Sequence, residues 1–161
     1  MNTNYYNKIK NAFRIVNVVD GDGLIIENIF NKELVEIRFL GIDAPEIKLC
    51  NKLFQDERET HLAAQFLIKL GRISLNYLLE IAPPNTYVTI FTEENNIKDV
   101  YGRTLAYVFL DDGTCINEKM VADGYAKPYN RFYCKELTNY QILSLNARNE
   151  VIGLFSYSLN W

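Results

Sequence analysis

The chain has 161 residues, 48% apolar and 23% charged, which is about one domain's worth of sequence with enough apolar material for a core. Lys and Arg number 17 against 20 Asp and Glu, a net charge of −3, so there is no generalised basic surface of the kind that coats duplex DNA. A small site that clamps one phosphate remains compatible with that charge. No apolar run reaches the roughly 18 residues of a membrane span. The N-terminal stretch lacks the apolar segment of a signal peptide. A single histidine, His61, excludes a multi-histidine zinc centre and argues against a Ser-His-Asp arrangement.

Residues 1–12 are polar and read as a loosely ordered lead-in. A first strand is expected over 13–19. Asp20-Gly21-Asp22-Gly23 is a turn signal, because glycine permits positive φ. Strands follow over 24–29 and 34–42, separated by a turn at Asn31-Lys32. Pro45 stops the third strand, since it lacks a backbone donor and biases Ala44 away from helical geometry. Residues 50–58 are polar and read as a loop. Apolar positions at Leu62, Phe66, Leu67 and Leu70, then at Leu75, Leu78 and Leu79, predict a helix over 59–79, with His61 structural and Gly71 as a break. Fourth and fifth strands are expected over 87–91 and 104–110. A short helix over 116–123 stops at Gly124, an aromatic loop spans 128–134, and a last helix covers 137–151. The whole reads as a single α+β domain: a five-stranded OB-fold barrel with a helix after strand three and helices at the C-terminus.

Three groups of residues carry chemistry. Asp20 and Asp22 are one residue apart and share a face in extended chain. With Asp43 and the Ala44 carbonyl they form an all-oxygen set of the kind that suits Ca²⁺. Arg38 and Arg103 are two guanidinium forks suited to the oxygens of a phosphodiester, and Glu46 is a carboxylate left to activate or orient water. One conflict stands out. In a regular strand Arg38 and Asp43 face opposite ways, so a distortion near Gly41 is required. Late aromatics, Tyr125, Tyr129, Phe132 and Tyr133, suit stacking on bases as well as packing. The cysteines, Cys50, Cys115 and Cys134, have no CxxC spacing; three buried thiols, or one disulfide and a free thiol, both remain open.

Val-Val-Asp-Gly-Asp at 18–22, Arg-Phe-Leu-Gly-Ile-Asp-Ala-Pro-Glu at 38–46, Asp-x-Tyr-Gly-Arg-x-Leu-Ala-Tyr at 99–107 and Asn-Glu-x-x-Val-x-x-Gly-Tyr-Ala at 117–126 together resemble the staphylococcal nuclease family. The resemblance covers roughly 13–155, and its motifs fall in the right order. It implies an OB-fold and Ca²⁺-dependent hydrolysis of DNA and RNA to 3′-phosphate ends. The late stacking aromatics favour a single-stranded substrate, and a monomer is expected. By position the resemblance implies that Asp22, Asp43 and the Ala44 carbonyl hold the metal with Asp20 close by. Arg38 and Arg103 would hold the phosphate, Glu46 would serve the water, and Tyr101 would touch a neighbouring phosphate or sugar; Tyr129 and Phe132 are added as substrate contacts. Gly23 replaces a usual threonine and Val100 a lysine of the best-known members. The first removes a hydroxyl from beside the metal and loosens that site; the second removes a contact to a substrate phosphate and, with the acidic charge, predicts weaker substrate binding. Family members are often exported, a lean towards a secreted protein that nothing in the chain marks. In this fold the loops of Cys50 and Cys134 would border the cleft, so a disulfide between them is an expectation. The rival reading is a nuclease-like OB module without catalysis that binds nucleic acid or protein.

Overall fold

The computed structural model describes residues 6–161. In chain order its elements are β1 (Tyr6–Asp20), β2 (Gly23–Asn28), β3 (Leu34–Phe39), β4 (Ile42–Asp43), α1 (Asn51–Thr60), α2 (Ala64–Ile81), β5 (Tyr87–Glu93), β6 (Thr104–Leu110), α3 (Ile116–Ala122), β7 (Lys127–Pro128) and α4 (Leu137–Glu150), then a 3-10 turn over Gly153–Ser156. β1, β2, β3, β6 and β5 close in that order into a barrel, and β4 pairs with β7 in a separate ribbon. All barrel neighbours are antiparallel except β3 and β6, which run parallel. This is the expected α+β architecture, an OB-fold.

Closure rests on β1, which pairs with both β2 and β5. Its register slips between Ile15 and Asn17, between Val18 and Asp20, and between Ile9 and Phe13. Each slip bends the strand and adds twist, as barrel closure requires. The strand begins at Tyr6, so the lead-in expected over 1–12 is strand from residue 6 on; residues 1–5 lie outside the described residues. Alternate side chains point inward, and Ile15, Leu24, Ile26, Ile37, Val88 and Leu105 are fully buried.

β3 stops at Phe39, earlier than expected, and Gly41 at φ +80° turns the chain into β4. Asn117, fully buried at the start of α3, pins this break. Its amide donates to the carbonyls of Leu40 and Ala106, both at 3.0 Å, and its oxygen accepts from Val108.

The region after Pro45 departs from expectation. Residues 51–60 are helix α1, not loop. Its inward residues are Leu53, Asp56 and Thr60, so it carries no apolar stripe to betray a helical period. His61 adopts left-handed geometry (φ 58°) and is exposed; the break between helices falls here, and α2 runs unbroken through Gly71. Leu53 anchors α1 in a second cluster with Leu67, Leu70, Ala147, Leu154, Phe155 and Trp161, apart from the barrel core.

Gly71 is a point of close approach. A Cβ there would lie 2.5 Å from the Glu46 carbonyl oxygen and 2.6 Å from that of Pro45. Helix α2 therefore rests directly on the turn that carries Glu46. Gly71→Ala is expected to lower the urea midpoint, the overpacking cost of about 1–3 kcal/mol in unfolding free energy outweighing the roughly 1 kcal/mol of helix propensity gained. A raised midpoint would show that α2 does not bear on that turn.

Candidate active site

Arg38 projects from β3 into a cleft of about 290 Å³ at one end of the barrel. It is buried at 7% exposure, between Asp22 at 5% and Asp43 at 3%. Its Nη1 pairs with Asp22 Oδ1, and its Nη2 donates to Asp43 Oδ1 at 2.8 Å. The turn at Gly41 thus resolves the facing conflict: the strand ends, and Asp43 comes round to the same side as Arg38. The other oxygen of Asp22 accepts the Ala44 amide at 2.6 Å, and the Asp22 carbonyl accepts the Phe39 amide at 2.8 Å. One residue so ties the β1–β2 turn to both ends of the β3–β4 corner.

Lys52, on α1, was not singled out from the sequence. Its ammonium sits 3.0 Å from Asp43 Oδ2, 3.0 Å from Asp56 Oδ2 and 3.4 Å from Glu46 Oε1. Burial opposes its charge, but Asp43 and Asp56 more than offset that and raise its pKa. Lys52 is therefore a fixed positive charge. The signal available was the Lys52/Asp56 spacing of four, visible only once 51–60 is read as helix.

Asp20 lines the same cleft, where its Oδ1 accepts the Asp22 amide at 3.2 Å. Burial raises its pKa above the usual carboxylate value against the pull of Arg38 and Arg103, and Asp43 adds to the rise. Across the cleft, Asp99 organises the loop before β6. Its Oδ1 accepts the amides of Tyr101 and Arg103, both at 3.0 Å, and its Oδ2 accepts Arg103 Nε at 2.7 Å. This loop aims Arg103 into the cleft and stands Tyr101 at the mouth, 83% exposed, with the Arg103 guanidinium 5.6 Å from its ring centre. Val100 beside it is 86% exposed.

Tyr129 and Phe132 also line the cleft, their rings 5.5 Å apart, with Arg38 5.8 Å from the Tyr129 ring centre. Two other aromatics lie elsewhere. Tyr125 stacks on Tyr77 at 3.9 Å, and Tyr133 borders a separate hollow beside Glu93. All three cysteines are free. The expected Cys50–Cys134 disulfide is absent because the two belong to different packing clusters: Cys50 against the α1 side, Cys134 in the barrel core with its sulfur 3.0 Å from Tyr107 Oη. Cys50 and Cys115 are only half-buried, so three fully buried thiols is not the arrangement either.

Among the described residues, no three His, Cys, Asp or Glu side chains stand together in a metal-holding group. The reason is visible at the carboxylates. Arg38 and the Ala44 amide engage Asp22, while Arg38 and Lys52 engage Asp43. The donor chemistry nevertheless fits a hard cation: Asp20, Asp22, Asp43 and Glu46 offer only oxygen, and among the described residues no ion pair engages Asp20 directly.

A closed OB-fold barrel with guanidinium groups and carboxylates converging in one end cleft defines the class of this protein. A family model described as staphylococcal nuclease homologue matches residues 36–157. The chain belongs to that family. It is 30% identical over 154 residues to an uncharacterized protein of Methanocaldococcus jannaschii, covering 91% of this chain and 72% of that protein. It is 30% identical over 143 residues to an uncharacterized endonuclease of Escherichia coli, 89% of this chain and 76% of that one. With the thermonuclease of Staphylococcus intermedius it shares 29% identity over 146 residues, 86% and 70% respectively.

Arg38→Met would leave Asp22 and Asp43 buried without their shared partner, and a loss of about 3–5 kcal/mol in urea unfolding is expected. The Asp20 shift has a definite sign. Folded Asp20 holds its proton more tightly than unfolded Asp20, so its contribution favours the fold below the unfolded value near 3.8 and is lost as pH rises through the raised value. Asp20→Asn should therefore raise Tm over wild type at neutral pH, and the gap should close below about pH 4 in a melting series.

Proposed function

We propose that the chain is a nuclease that hydrolyses phosphodiester bonds of DNA and RNA, favours single strands, depends on Ca²⁺ and leaves 3′-phosphate ends. The observation that carries this reading is the convergence of Arg38, Arg103 and Glu46 on one cleft rimmed by Tyr101, Tyr129 and Phe132. Family membership and relatives named endonuclease and thermonuclease support it.

Asp22, Asp43 and the Ala44 carbonyl would hold the cation, with Asp20 close by. When bound, the cation would polarise a phosphate oxygen and increase the acidity of water. Arg38 and Arg103 would grip the non-bridging oxygens and stabilise the charge that grows on them at the transition state. Glu46, half-buried at the cleft wall, would orient the attacking water and take its proton. Tyr101 would contact the adjacent phosphate or sugar, and the Tyr129–Phe132 pair would receive a base. A stacked base gives no sequence preference, and a duplex would have to open to supply it.

One observation favours the second reading, a binding module without catalysis: the cation-site carboxylates are engaged by Arg38 and Lys52, and no metal-holding group is preformed among the described residues. End-labelled single-stranded DNA incubated with the purified protein separates the two. Cleavage with Ca²⁺ that stops on chelation is expected. Glu46→Ala and Arg103→Ala should each lower the rate by roughly 10²–10³-fold with the melting transition retained. Binding without cleavage at any Ca²⁺ concentration would establish the module instead.

A further inference from the structure

We propose that Lys52 is a tethered competitor for the cation site, a positioning residue whose ammonium has to leave Asp43 before a divalent cation can bind. This inference rests on the cation reading given above.

Both oxygens of Asp43 are held by positive groups, Oδ1 by Arg38 and Oδ2 by Lys52. A divalent cation needs at least one of them at roughly 2.3–2.6 Å. It cannot share an oxygen with an ammonium 3.0 Å away without strong like-charge repulsion. Of the two, Arg38 is locked: its side chain is 9% exposed and also holds Asp22. Lys52 is 29% exposed, on a flexible four-carbon stem. Lys52 is therefore the group that yields.

The fold offers it somewhere to go. Lys52 lines both the main cleft and an adjoining hollow of about 220 Å³, whose wall also includes Asp43, Asp56 and Glu59. Asp56, 6% exposed, already holds the ammonium at 3.0 Å on that side. Keeping Asp56 and releasing Asp43 and Glu46 would draw the charge away from the main cleft, towards Asp56 and Glu59. The Lys52/Asp56 pair also runs in the less favourable direction for a helix, with the base N-terminal to the acid. It is thus poorly explained as a device for stabilising α1. Releasing Glu46 at the same moment would free the proposed water-activating carboxylate only when a cation arrives.

Calorimetric titration of the full chain with CaCl2 tests this without an activity readout. Lys52→Met keeps the stem and removes the charge; it should bind Ca²⁺ at least about tenfold more tightly than wild type. Lys52→Arg keeps the charge and should bind within about threefold of wild type or more weakly. Melting curves report the same coupling if Lys52→Met is unstable alone: Ca²⁺ should raise its Tm more than it raises that of wild type. Binding by Lys52→Met no tighter than by wild type, or binding by Lys52→Arg as tight as by a tightened Lys52→Met, overturns the competitor role while leaving the cation reading in place. No heat and no Tm shift in any of the three proteins overturns the cation reading and this inference together.

Discussion

Everything at the charged end of the barrel depends on one buried guanidinium. Arg38 sits between two carboxylates from different segments, Asp22 at the β1–β2 turn and Asp43 on β4. Such a cluster is a poor source of net stability, because desolvating the charges offsets much of their attraction. What it provides is a single allowed geometry. The Asp22 carboxylate also accepts the Ala44 amide, and its carbonyl accepts Phe39. If Arg38 shifted, the turn, the strand end and the corner after Gly41 would all lose their reference point. Asn117 braces the same corner from the core side with three hydrogen bonds.

Around that fixed centre lies a more adjustable layer. Glu46 and Lys52 are half-buried and joined at 3.4 Å, the longest of the lysine's three contacts. Arg103 is steered by Asp99, whose carboxylate is almost wholly buried, while the aromatic ring beside it stands in solvent. Rigid charge inside and movable charge outside is an arrangement suited to a flexible, anionic polymer. The overall charge of −3 gives no long-range pull towards such a polymer, so recognition falls to these few groups at short range.

The barrel was legible in the sequence because its strands are rich in β-branched and aromatic residues, that over 87–91 alternates, and Asp20-Gly21-Asp22-Gly23 marks the first turn. The distortion at Gly41 was legible too, from parity alone: Asp43 lies five positions after Arg38, an odd offset, and the two needed one face. The miss at α1 has a physical cause. Its inward positions include Asp56 and Thr60, so a buried helix face looks like a solvated loop. Missing the helix hid Lys52. Gly71 was misread for the opposite reason, since a helical glycine signals a break unless something presses on it, and here the Pro45 and Glu46 carbonyls do. Tyr125 and Tyr133 could not be told from Tyr129 and Phe132 by type. Only packing separates a ring stacked on Tyr77 from one beside Arg38.

The second packing cluster links parts of the chain that are far apart in sequence. Leu53 holds α1 in place by burying itself among residues of α2, α4 and the 3-10 turn, including Leu154 and Phe155. The lysine that faces Asp43 is the residue next to Leu53. The electrostatics of the cleft are therefore set partly by how well the last stretch of chain packs, about a hundred residues away from α1 in sequence. Substitutions in that distant stretch therefore reach the cleft through the placement of α1, without touching any group that lines it.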